Sequence, residues 1–157
     1  MRTKLHSFAL SAALFCAMQV SASESEIAPA QYDAALAKKL GADERGMRKY
    51  VLVILKTGPH RVPDGAERED MFKGHFANIE RLANAGLLVM AGPLDGVDGW
   101  RGLFMFAVNS IDEASKLVAT DPVIVKGEMV AEYHEHYGSA ALMLVNDWHK
   151  KLSRPQQ

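Results

Sequence analysis

Residues 49–56 read Lys-Tyr-Val-Leu-Val-Ile-Leu-Lys and are closed by Thr57-Gly58-Pro59. Six apolar residues rich in β-branched and aromatic types, too few for a buried helix and ended by turn formers, specify a strand. Downstream, His60 to Ala66 reads as a loop. Then Met71, Phe72, His75, Ile79 and Leu82 recur at three- and four-residue steps, which predicts one helix face running up to the natural C-cap Gly86. Leu87 to Ala91 and Trp100 to Val108 are two further strands, and the glycine-rich connection Gly92 to Gly99 between them favours an antiparallel hairpin. Ser110-Ile111-Asp112-Glu113 matches a capping box, so a helix is expected over 111–120, broken or restarted at Asp121-Pro122. Gly127 precedes a fourth strand, Glu128 to Tyr137. The order strand, helix, strand, strand, helix, strand is the split βαβ pattern of an α+β, ferredoxin-like βαββαβ domain with an antiparallel sheet.

Outside this block, Pro29 opens a helical stretch, Ala30 to Leu40, ended by Gly41, and Ala140 to Leu152 reads as a terminal helix carrying Trp148. The organisation is a leader with a short helix over 23–48, a domain over 49–137 and a helical extension over 138–157. Helices cover one face of such a sheet. The apolar residues Trp100, Phe104 and Phe106, with those of the first strand, supply both faces, so a homodimer is expected to cover the other.

The first 22 residues carry the marks of an export signal: Arg2 and Lys4, an apolar run from Phe8 to Val20, and the small residues of Val20-Ser21-Ala22 before a cut. The run is shorter than the ~18 residues a membrane span needs, and no later segment approaches that length. Cys16 follows Ala13-Leu14-Phe15, but bulky Phe15 stands where lipid attachment wants a small residue. The expectation is a periplasmic or secreted protein with no membrane association after cleavage. Removal of Arg2 and Lys4 takes the 18 basic residues to 16 against 19 acidic ones, a formal charge of −3, which offers nucleic acid no electrostatic footprint. Cys16 is the only cysteine, so the mature chain has no disulfide, thiolate metal site or thiol nucleophile.

Three groups of residues are candidates for chemistry. His75 lies on or beside the buried helix stripe, where a neutral imidazole can act as a general base near neutral pH; the plainer reading is a core-edge histidine bonded to a backbone carbonyl. Asp121 before Pro122 is explained by turn chemistry when taken alone. In the fourth strand Glu132, His134 and His136 share one face, a donor set that suits zinc or iron, whereas a polar strand end or an interface row is the plainer reading because no HExxH-type signature accompanies it. Gly92-Pro93 lies in a hairpin loop that lines a pocket; it is not a phosphate cradle, because a strand follows it.

His75 followed by Leu82-Ala83-Asn84-Ala85-Gly86, then Leu88-Val89-Met90-Ala91-Gly92-Pro93-Leu94 and Ala119-Thr120-Asp121-Pro122, resembles the YCII-related (YciI-like) domain family over about Tyr50 to Tyr137. The resemblance implies the dimeric α+β barrel fold, related to muconolactone isomerase, with extra N- and C-terminal helices here and a cleft beside the sheet. It also implies a catalytic pair, carried by His75 and Asp121. One branch of the family removes chloride from a chlorinated hydroxyquinol; most members have no assigned reaction. Two readings follow. One is a cofactor-free, metal-free enzyme performing acid–base elimination or isomerisation on a small aromatic or hydroxylated molecule, with Gly92, Pro93, His134 and His136 contacting substrate. The other is a noncatalytic periplasmic dimer that binds a small apolar ligand or a protein partner.

Overall fold

In the computed structural model, which describes residues 31–154, β1 (Met47–Thr57) is an inner strand hydrogen-bonded on both sides. Its neighbours are β3 (Trp100–Phe106) and β4 (Met129–Ser139), and β2 (Leu88–Pro93) lies outside β3, giving the order β2-β3-β1-β4 with every pair antiparallel. With α2 (Ala66–Asn84) between β1 and β2, and α3 (Ile111–Val118) and α4 (Pro122–Val125) between β3 and β4, this is the ferredoxin-like α+β fold that the element order predicts.

Element ends depart from the expected ones for identifiable reasons. β1 and β4 run beyond their apolar stretches because their ladder continues, from Met47 opposite Ser139 to Thr57 opposite Met129. β2 continues through Gly92 and Pro93; an edge strand tolerates a proline that cannot donate to the ladder. α2 starts five residues before its apolar stripe, in an exposed turn where Glu67 and Glu69 suit the positive end of the helix dipole. The leader helix, α1 (Ala34–Leu40), begins after Asp33 and not at Ala30, because the Asp33 carboxylate caps the Leu36 N–H at 2.9 Å. Ser110 caps α3 as expected, its Oγ accepting from Glu113 N, but the Glu113 carboxylate reaches back one residue further than a capping box requires and accepts from Asn109 N.

Alternation along β1 divides the apolar residues. Val51, Val53 and Leu55 face the helices with Phe104, Phe106, Met129 and, from the helices, Met71, Leu82, Val118 and Val123. Tyr50 occupies the other face with Val89 and Met105. Part of that second face is covered by the chain itself: after Ser139 it makes a 3-10 turn, Ala140–Leu144, whose Leu142 and Met143 pack on Tyr50, Val89 and Met105. The Tyr50 hydroxyl donates to Ser139 O at 2.9 Å, and Asn146 of α5 (Val145–Leu152) donates from its side chain to Leu88 O at 2.8 Å. No helix among the described residues is long and apolar enough to cross a membrane. The expected export signal, Cys16 and Pro29 lie outside the described residues.

Candidate active site

Helical periodicity buries Met71, His75, Asn78 and Leu82 along one line of α2. The residue before His75 is Gly74, and its bare α-carbon packs on the ring of Pro122: a β-carbon there would lie 2.9 Å from Pro122 Cγ. This close approach brings α2 onto the start of α4, where Asp121 is the N-cap. The Asp121 side chain accepts from Val123 N at 3.1 Å, and its oxygens Oδ1 and Oδ2 lie 2.9 and 2.8 Å from His75 Nδ1. Asp121 is 0% exposed and His75 8%. A carboxylate only accepts, so Nδ1 carries the ring proton of the neutral imidazole and Nε2 presents a lone pair.

A polar chain surrounds the pair. Asn78 Nδ2 donates to Asp121 Oδ2 over a long 3.5 Å; Asn78 Oδ1 accepts from Arg81 Nη2 at 2.6 Å and from Thr120 Oγ1 at 3.1 Å. Arg81 also donates to Thr120 Oγ1 at 3.1 Å, which ties the C-terminal half of α2 to the residue before Asp121. The imidazole itself stacks on Phe104, with ring centroids 6.0 Å apart and planes 29° apart, and meets the edge of Phe72 at 6.2 Å. Asp121, Phe104 and Phe72 thus restrain the His75 ring from three directions.

His75 lines a cleft of about 440 Å³ between α2 and the sheet, whose walls are Leu55, Phe72, Phe76, Ile79, Phe104 and Met129. Ala91, Gly92, Pro93 and Gly102 form the β2–β3 side, and Arg101 is the one cationic residue of the lining. A volume of this size, apolar with few polar groups, suits a small organic molecule.

Beside the cleft, Glu128 is 3% exposed and is claimed by Arg68, whose Nη2 is 2.8 Å from Oε1, and by Val62 N, 2.8 Å from Oε2. The hydrogen bond from Arg68 is the main force holding the Glu128 carboxyl below the usual glutamate range, against burial.

Of the residues expected to contact substrate, Gly92 and Pro93 line the cleft with His75. His134 and His136 do not. They pair across to Leu52 and Tyr50, which puts them on the sheet face away from α2, because β4 has no bulge to move them to the other side. His134 Nε2 is 2.8 Å from Glu132 Oε1, and that contact, followed by Lys56, lowers the Glu132 carboxyl below its ordinary value. His136 instead lies against Tyr50, centroids 6.3 Å apart. Glu132, His134 and His136 therefore do not converge, and no group of three metal-ligating side chains is found among the described residues. Gly74, Asn78, Arg81, Phe104 and Arg101 belong to the site or its support without a local sequence signal. Only successive three-residue steps, His75 to Asn78 and Asn78 to Arg81, point to neighbouring positions on one side of α2.

Fold and site together define an α+β, ferredoxin-like domain with a buried His–Asp pair at the wall of an apolar cleft. The chain belongs to the YCII-related domain family, whose model matches residues 48–136. Among solved structures, 5-chloro-2-hydroxyhydroquinone dehydrochlorinase (TftG) from Burkholderia phenoliruptrix, in complex with 2,5-dihydroxybenzoquinone, is similar to this chain. The identity is 22%, over 55% of this chain and 90% of that one, with a TM-score of 0.39. No curated protein matches the sequence.

Proposed function

We propose that this protein is a cofactor-free acid–base enzyme acting on a small aromatic or hydroxylated molecule, with His75 as the base and Asp121 as the residue that orients it. The observation that carries this reading is the 2.8 Å contact between His75 Nδ1 and the fully buried Asp121 carboxylate at the wall of an apolar cleft. Asp121 fixes the tautomer, so Nε2 is free to take a proton, and the imidazolium so formed is stabilised by the adjacent negative charge. In an elimination, the electron pair of the broken C–H or O–H bond expels a leaving group and the proton passes from Nε2 to that group or to water. In an isomerisation, the same proton returns at another carbon. Neither needs a redox partner. The aromatic walls Phe72, Phe76 and Phe104 favour a flat substrate.

His75→Asn tests the reading, because an asparagine amide occupies nearly the place of Nδ1 and keeps a donor to Asp121 while removing Nε2. A panel of hydroxylated, carboxylated and halogenated aromatics is followed spectrophotometrically with the mature protein. Turnover found with the natural chain is expected to vanish in the folded variant; full turnover in His75→Asn excludes His75 as the base.

We also infer export of the chain and pairing with a second copy through the β4 side of the sheet, where Val130 is 44% exposed next to Glu132, His134 and His136. Mass spectrometry of the N-terminus in the native host and light scattering of the purified protein test these two points separately.

A further inference from the structure

The cleft holds one cation that feels a buried carboxylate yet spends no hydrogen-bond donor on it. Arg101 lies on β3 in the cleft lining, and its guanidinium makes no hydrogen bond to another described residue. Its one salt-bridge partner among them is Glu128, and at 3.9 Å that contact is too long for a hydrogen bond. Glu128 is moreover already engaged by Arg68 Nη2 and Val62 N, both at 2.8 Å. The Arg101 side chain is 30% exposed and lines the cleft among mostly apolar residues. An arginine left with unspent N–H donors in a largely apolar, partly desolvated cleft is suited to a planar oxyanion.

We propose that Arg101 is the anion-recognising residue of the cleft, and that the preferred ligands are small planar organic anions, aromatic carboxylates or phenolates. The proposal rests on the acid–base reading and narrows its substrate class. The aromatic body stacks among Phe72, Phe76 and Phe104, the guanidinium takes the negative oxygen, and the other end of the molecule meets His75 Nε2. Arg101 binds and orients the ligand; it moves no proton. The same contact favours a phenolate or enolate that forms when His75 removes a proton, since negative charge then grows beside a fixed cation.

The test titrates benzoate and its neutral isostere benzamide into the mature protein by NMR, observing the Leu55, Ile79 and Met129 methyl groups that line the cleft. Saturable shifts with benzoate are expected, and Arg101→Gln should weaken benzoate by about tenfold or more while leaving benzamide within about twofold. Arg101→Lys, which keeps the charge without the planar fork, should fall between the two. His75→Asn should retain benzoate binding within about threefold, because the histidine is not the anion's partner. No saturable binding of benzoate to the natural chain, or equal losses for benzoate and benzamide in Arg101→Gln, overturns the proposal. Persistence of turnover in His75→Asn, with benzoate still dependent on Arg101, overturns the acid–base reading alone.

Discussion

Gly74 and Pro122 meet face to face, one residue before His75 and one after Asp121, with no room for a methyl group between them. The pair explains how a helix and a four-residue helical turn distant in sequence come close enough for a 2.8 Å side-chain contact. It also sets two general rules against each other. An alanine at a mid-helix glycine gains about 1 kcal/mol of helix propensity, whereas crowding a rigid proline ring costs roughly 1 to 3 kcal/mol. The expected outcome for Gly74→Ala is a net loss of stability in urea unfolding, together with lowered activity. A variant more stable than the natural chain would show that the helix backs away freely.

Asp121→Asn retains an acceptor for Val123 N and so should leave α4 capped. The new amide donates to Nδ1 and forces the ring proton onto Nε2, which removes the base. Activity should fall by roughly two to four orders of magnitude with a much smaller change in KM, as when a triad carboxylate loses its charge. A change confined to KM would mean that Asp121 shapes the cleft and does not set the tautomer.

Glu128 gives the fold an acid-sensitive component. Its carboxyl is held low chiefly by the Arg68 hydrogen bond, so the native state binds fewer protons than the unfolded chain. That contribution is fully present above the ordinary glutamate value of about 4.3 and is lost as pH falls through the depressed one. Glu128→Gln should lower stability at neutral pH, because a neutral amide replaces the charged acceptor of Arg68 and of Val62 N while Arg68 keeps Asp64 and Val62 O. It should also flatten the decline of stability below about pH 4. Parallel unfolding midpoints of the two proteins across the acid range would contradict this.

Leu142 and Met143 lie on the apolar face formed by Tyr50, Val89 and Met105. Replacing both with serine should lower stability by about 2 to 4 kcal/mol and expose a patch that binds a hydrophobic dye. If the double variant instead gains no dye binding and unfolds at the same urea concentration, the tail is an ornament on the sheet.

The sheet and α2 were legible because their signals are local: β-branched residues run through 49–56, and apolar residues recur at helical steps from Met71 to Leu82. The capping box at Ser110 is local as well, and the split βαβ order follows from these elements. What joins them was not legible. The alternation of β4 shows that Glu132, His134 and His136 share a face, yet it does not say which face meets α2; the register with Tyr50 and Leu52 decides that. The cover that Leu142 and Met143 give to the second sheet face depends on a turn after Ser139 that apolar content does not reveal. Arg101 reads as an ordinary strand residue until Arg68 is seen to occupy Glu128 first. The proximity of His75 and Asp121 was expected through family resemblance, while its cause, Gly74 against Pro122, is a matter of shape between segments 48 residues apart.

One carboxylate both starts α4 and aims the imidazole, so the two jobs fail together. Fraying of that single turn releases Asp121, and the histidine loses its assigned tautomer while the four-stranded sheet remains assembled. If that turn opens before the sheet, heating should abolish any activity at His75 at temperatures where the fold, seen by far-ultraviolet dichroism, is still whole.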